Sequence, residues 1–182
     1  MAAICVFCSG KSDAPEPFFA LARATGADLA REGHSLVYGG GGLGMMGELA
    51  KAARGAGVRV VGVMPEGLVA RERASHDVDE LIVSADLATR KEIMIAKADA
   101  FLILPGGLGT LDELFEVWTT GPQLRQHAKP IVLVDADGFY AGLVDWLRSS
   151  PLISPALAHA VTVVSSLDDA WPALRDTPVA KR

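Results

Sequence analysis

Short apolar runs alternate along this chain with longer amphipathic stretches, and the alternation predicts a repeating strand-helix order. Residues 4–8 are apolar and stop at the polar Ser9-Gly10-Lys11-Ser12. Pro15 and Glu16 then open a helix that runs to about residue 31, since proline suits the first helical turn, and Gly33 ends it. A second strand over 35–38 leads through four glycines, 39–42, into a helix carrying Met45, Met46, Leu49 and Ala53 on one apolar face. Further strands are expected over 58–64, 81–83, 100–104, 131–134 and 161–164. Helices are expected from Asp86 or Thr89 to about Lys97, from Leu108 through Trp118, and over 140–147 and 168–174. Residues 65–78 and 119–130 carry too little periodicity to assign.

A βα order without hairpin signals means a mostly parallel sheet covered on both faces. The fold expected is therefore Rossmann-like and doubly wound, an α/β sheet of about seven strands forming a single domain over residues 1–182, with a frayed polar tail at 177–182. The loops that follow the strands gather at one edge of such a sheet, where ligands collect.

The most informative of these loops is Leu104-Pro105-Gly106-Gly107-Leu108-Gly109-Thr110-Leu111-Asp112-Glu113, a strand end, a tight turn and a helix start. Glycines there let backbone N–H groups approach a ligand closely, and a helix N-terminus favours an anion. Gly106, Gly107, Gly109 and Thr110 thus read as a phosphate cradle, with Asp112 and Glu113 in the first helical turn beside it. Arg90 and Lys91 lie near the start of an earlier helix, where positive charge opposes the macrodipole, so a role in a site explains them better than helix stability does.

Other motifs are weighed by their spacing and their place in the chain. Gly10-Lys11-Ser12 lacks the glycine that a Walker loop needs five residues earlier, because Cys5 stands there. Residues 42–47 match a dinucleotide pattern, with Glu66 near the distance of a ribose-binding acid. That loop follows the second strand rather than the first, however, and NAD binding would leave the loop at 106 without a task. Cys5 and Cys8 have no second pair to complete a zinc site and read as buried thiols, and His76 has no partner spaced to bind a metal with it. The net charge of −5 and the scattered Lys and Arg argue against nucleic acid as a partner. The N-terminus lacks a signal peptide, and no run reaches the roughly 18 apolar residues of a membrane span, so a cytoplasmic protein without a membrane partner is expected.

Pro105-Gly106-Gly107-x-Gly109-Thr110-x-x-Glu113 resembles the signature of the LONELY GUY family, the cytokinin riboside 5′-monophosphate phosphoribohydrolases often mislabelled lysine decarboxylases. The resemblance extends to the glycines 39–42, to Gly44-Met45-Met46-Gly47, where Met45 replaces the family's Leu, and to Arg90-Lys91, preceded here by Leu87 and Ala88 in place of Met and His. It departs at 120–125, one residue longer than the family's stretch. The resemblance implies Arg90 and Glu113 as catalytic residues. For the substrate it implies Ser9, Gly42, Glu72 (eighteen positions before Arg90), Lys91, Gly106, Gly107, Gly109, Thr110, Asp112 and Thr119. It implies cleavage of the N-glycosidic bond of an adenosine 5′-monophosphate, plain or N6-modified, with neither metal nor cofactor. Glu113 would steady the positive ribose or orient water, Arg90 would position Glu113, and the group that protonates the leaving base stays open. A carrier that holds a nucleotide or molybdenum cofactor without turnover is the alternative. Lysine decarboxylation would need a pyridoxal-binding lysine, and neither Lys11 nor Lys91 has that setting. A homodimer is also implied, and surplus apolar residues point to an interface using Met45, Met46, Phe115 and Trp118.

Overall fold

The structure is a computed structural model that describes residues 1–69 and 78–176. Seven strands form one sheet: β1 (Ala3–Phe7), β2 (Ser35–Tyr38), β3 (Val60–Pro65), β4 (Glu80–Ser84), β5 (Ala100–Ile103), β6 (Ile131–Val134) and β7 (Thr162–Val164). Their order is β4-β3-β2-β1-β5-β6-β7, and every neighbouring pair is parallel. The chain winds outward from β1 in one direction and then returns to its other side, so the order reverses between β1 and β5. In register there, Val6 lies opposite Leu102 and Phe7 opposite Ile103. Loops on either side of this switch point diverge and leave a crevice at the carboxyl ends of the strands.

Side-chain alternation along β1 divides the core into two layers. Ile4, Val6 and Cys8 face α1 (Glu16–Arg31), α2 (Gly44–Gly55) and α7 (Leu167–Asp176). Cys5 and Phe7 face α3 (Leu87–Lys97), α4 (Leu108–Trp118) and α5 (Ala141–Ser149). The inner strands β3, β5 and β6 are buried along their whole length and read as unbroken apolar runs, as parallel strands covered on both faces do, whereas the edge strands β4 and β7 are partly exposed. A short α6 (Pro155–Ala158), capped by Ser154, was not expected from the periodicity. The stretch at 119–130 begins with a π-helical turn, Thr119–Gln123, that extends α4.

The structure corrects one expectation about surface. Met45 is 1% and Met46 9% exposed, so neither is available for an interface. Both belong to the core layer under α1 and α2; Met46 fills the space over Gly10, where a Cβ would lie 2.7 Å from its Cε, and α1 crosses α2 so closely that a Cβ built on Gly26 would lie 2.7 Å from the Leu49 carbonyl oxygen and the Ala53 nitrogen. With α1 over it and the sheet beneath it, α2 has two faces to bury. No described helix is long and apolar enough to cross a membrane.

Candidate active site

α4 starts at Leu108 with Gly107 as its N-cap, and its first intrahelical bond runs from the Leu111 N–H to the Gly107 carbonyl at 3.0 Å. The helix starts where expected, but Asp112 and Glu113 are its fifth and sixth residues and so lie in the second turn, and the first turn holds no acidic residue. The orphan N–H groups of that turn therefore keep their positive end uncompensated, which favours an anion. Thr110 is buried and folds back on the loop, where a Cβ on Gly106 would lie 2.1 Å from its Oγ1. Cβ atoms built on Gly107 and Gly109 would meet nothing within 4 Å, so these two glycines face open space.

α3 supplies the cation. Asp86 caps its N-terminus, accepting from the Thr89 N–H at 2.7 Å, and that bond holds the Asp86 carboxyl below its ordinary range. One turn in, Arg90 is 9% exposed and three groups fix its guanidinium. Nε donates to the Val63 carbonyl at 3.0 Å, Nη2 to the Gly39 carbonyl at 3.2 Å, and Nη1 lies 3.1 Å from Glu113 Oε1. The fork geometry of arginine matches this set, whereas a lysine would satisfy only part of it. Glu113, 7% exposed, thus lies in a largely dry place beside a fixed cation.

Arg90, Glu113, Thr110, Gly107 and Gly109 open onto one cleft of about 200 Å³, together with Cys8, Ser9, Gly10 and Met46. Ser9 ties the two sides of the switch point: its N–H donates to the Pro105 carbonyl at 3.3 Å, and its carbonyl accepts the Met46 N–H at 3.3 Å. Burial, with Glu113 adding to it, pushes the Cys8 thiol far up, so it is protonated and no nucleophile. Both cysteines are free. Among the described residues, no group of three or more His, Cys, Asp or Glu is arranged to hold a metal ion.

A family model described as "possible lysine decarboxylase" matches residues 46–174. A cytokinin riboside 5′-monophosphate phosphoribohydrolase of Mycobacterium tuberculosis is 45% identical over 92% of this chain and 90% of its own length. The protein of that name in Arabidopsis thaliana is 36% identical over 95% of this chain and 82% of its own. The chain belongs to the LONELY GUY family. Among solved structures it resembles the molybdenum cofactor carrier protein of Chlamydomonas reinhardtii, with a TM-score of 0.75 and 27% identity over 97% of both chains.

Other residues implied by the LONELY GUY signature fall in different places. Lys91 Nζ lies 3.0 Å from Asp112 Oδ1 and 2.9 Å from Glu116 Oε2, so this pair links α3 to α4 just outside the cleft. Burial works against the Lys91 ammonium, but Glu116 and Asp112 outweigh it and hold its pKa above the ordinary value. Gly42 lines a separate polar groove with Arg23 and Lys51. Thr119 follows the last residue of α4, roughly 16 Å along the axis from the cradle at 1.5 Å per residue, and does not line the cleft. Glu72 lies outside the described residues. The sequence reading missed Gly39 and Val63, whose carbonyls hold Arg90, because no local pattern marks a carbonyl as a partner. A run of glycines at the end of a strand was the available signal.

Proposed function

We propose that the protein hydrolyses the N-glycosidic bond of adenosine 5′-monophosphate or an N6-modified form of it, releasing the base and ribose 5-phosphate. One observation carries the reading: the buried Arg90–Glu113 pair opens onto the same cleft as the uncompensated start of α4. The names of the phosphoribohydrolase relatives support it.

The 5′-phosphate sits on the first turn of α4, against the N–H groups around Gly107 and Gly109 and the Thr110 hydroxyl. Binding energy gained there orients the sugar, which is the remote part of the substrate doing work at the reacting centre. Breaking the glycosidic bond develops positive charge at the ribose. Glu113, paired with Arg90 and held in place by it, faces that charge without reorganising, and such preorganised groups lower barriers most in a site sheltered from water. Arg90 itself keeps its proton and acts by holding Glu113. Lysine decarboxylation suits the site poorly: a Schiff base needs a neutral amine, and Lys91 is held charged by two carboxylates.

Incubation with adenosine 5′-monophosphate and its N6-isopentenyl form, with ribose 5-phosphate as the readout, tests this reading. The structural likeness to cofactor carriers favours a second one, in which a phosphorylated ligand binds without turnover. Tight binding of either nucleotide with no ribose 5-phosphate would select the carrier. We infer a cytoplasmic site of action, a reading that the two free thiols support.

The working form is a homodimer. Leu108 is 87% and Phe115 37% exposed on α4, and Phe115 stacks on Trp118 with ring centroids 6.1 Å apart. Sedimentation showing a fully active species at the 19.1 kDa chain mass would overturn the dimer.

A further inference from the structure

The loop between β5 and α4 needs support from below. Pro105 has no N–H to donate, and the glycines around it resist order. Ser9 anchors the loop from one side, through the Pro105 carbonyl. A second anchor comes from the far end of β6. There Asp135 accepts the backbone N–H of Tyr140, and the turn between them passes through Asp137 and Gly138, both at positive φ. This turn sends the Tyr140 ring back under the sheet edge, where it is 3% exposed and packed in the same layer as Phe101, Ile103 and Val144. The hydroxyl donates to the Leu104 carbonyl at 3.0 Å, and the Gly106 N–H is directed at the phenol oxygen itself. The phenol thus brackets Pro105, holding the residue before it and the residue after it.

We propose that Tyr140 is a positioning residue for the anion cradle: its hydroxyl, set between the Leu104 carbonyl and the Gly106 N–H, fixes the direction of the N–H groups that follow, and so sets affinity for the phosphate end of the ligand. This rests on the reading of the cleft as a nucleotide 5′-phosphate site. It also divides the labour among the glycines. Gly106 serves by turning its N–H to Tyr140 and leaving room for Thr110, while Gly107 and Gly109 face the ligand. Burial pushes the phenol well above its ordinary range, with Gly106 working against that shift, so the hydroxyl keeps its proton at every working pH.

Tyr140→Phe keeps the ring and removes only the bracket. The expected result is a rise of about tenfold in the KM for adenosine 5′-monophosphate, with kcat changed less than about threefold, and an equal weakening of inhibition by inorganic phosphate. Inhibition by adenosine, which has no phosphate, should not change. Asp135→Ala leaves the hydroxyl but loosens the turn that aims it, and should give the same phosphate-only pattern at smaller size, which keeps the test open if Tyr140→Phe folds poorly. Equal losses for phosphate and adenosine would reduce Tyr140 to a packing residue, and an unchanged KM would remove it from the site. Should wild-type protein release no ribose 5-phosphate, the hydrolase reading fails alone. Calorimetric binding of inorganic phosphate to wild type and variant then decides the role of Tyr140, a tenfold loss supporting it and equal affinity overturning it.

Discussion

The loop after β2 and the loop after β5 both join a strand to a helix through glycines, yet their glycines face different things. In the first, the absent side chains of Gly39, Gly44 and Gly47 make room for protein. A Cβ on Gly39 would lie 2.1 Å from Arg90 Nη2, one on Gly44 would lie 2.4 Å from the Gly10 backbone, and one on Gly47 would lie 2.4 Å from the Gly42 carbonyl oxygen. In the second, Gly107 and Gly109 have nothing in front of them. A glycine-rich turn can therefore be a spacer inside the fold or an opening left for a ligand, and the sequence pattern alone does not separate the two. The distinction also bears on the dinucleotide-like pattern at residues 42–47: the spacing of Gly44 and Gly47 follows from how closely α2 approaches the Gly10 and Gly42 backbone.

The comparison is sharpened most by removing what the two loops jointly position. Glu113→Gln should lower kcat by at least about a hundredfold, the scale of a preorganised electrostatic group, with little change in melting temperature. Arg90→Ala should cost as much activity, and it should also lower stability by roughly 3–5 kcal/mol because it strands a buried carboxylate. Near-normal turnover in Glu113→Gln would take that residue out of the mechanism. Next in size is Gly39→Ala. Its methyl would displace the guanidinium, so turnover should fall about ten- to a hundredfold, as expected for misplacement of a positioned group by about an ångström. Unchanged kcat would mean that Arg90 reaches its place without that gap.

Gly109→Ala tests the opposite case. Alanine in an exposed helical position gains up to about 1 kcal/mol over glycine, so melting should be unchanged or higher, while the KM for the nucleotide rises several-fold as a methyl enters the cradle. A variant that melts early would show that Gly109 is a spacer like Gly39. The smallest effect concerns acid. Asp86, which caps the helix carrying Arg90, has its folded pKa held down by the Thr89 N–H. Its contribution is thus fully present above the unfolded value of about 3.9 and is lost as pH falls through the depressed folded one. Asp86→Asn should flatten the acid limb of a stability curve below about pH 4, and an unchanged limb would remove Asp86 from it.

Much of the fold is legible in the sequence because parallel strands buried on both faces appear as unbroken apolar runs, and all seven were expected within a few residues of where they lie. Arg90 and Glu113 were legible too, one from a charge placed against its helix dipole and the other from the glycine signature. What escaped is what only the tertiary fold creates. Met45 and Met46 look like surplus apolar surface until the fold places them in the core layer under α1 and α2. Tyr140 reaches a loop 36 positions away, a contact that no local pattern announces.

The central claim is that the cradle at α4 and the Arg90–Glu113 pair act on one substrate, the first holding its phosphate and the second its reacting sugar. Turnover of adenosine 5′-monophosphate and of adenosine by the same preparation tests it most directly, with the released pentose identified in each case. The account predicts ribose 5-phosphate from the nucleotide and, from the nucleoside, cleavage slower by at least about a hundredfold, since the phosphate's binding energy is what orients the sugar. Adenosine cleaved as fast as its monophosphate would contradict it.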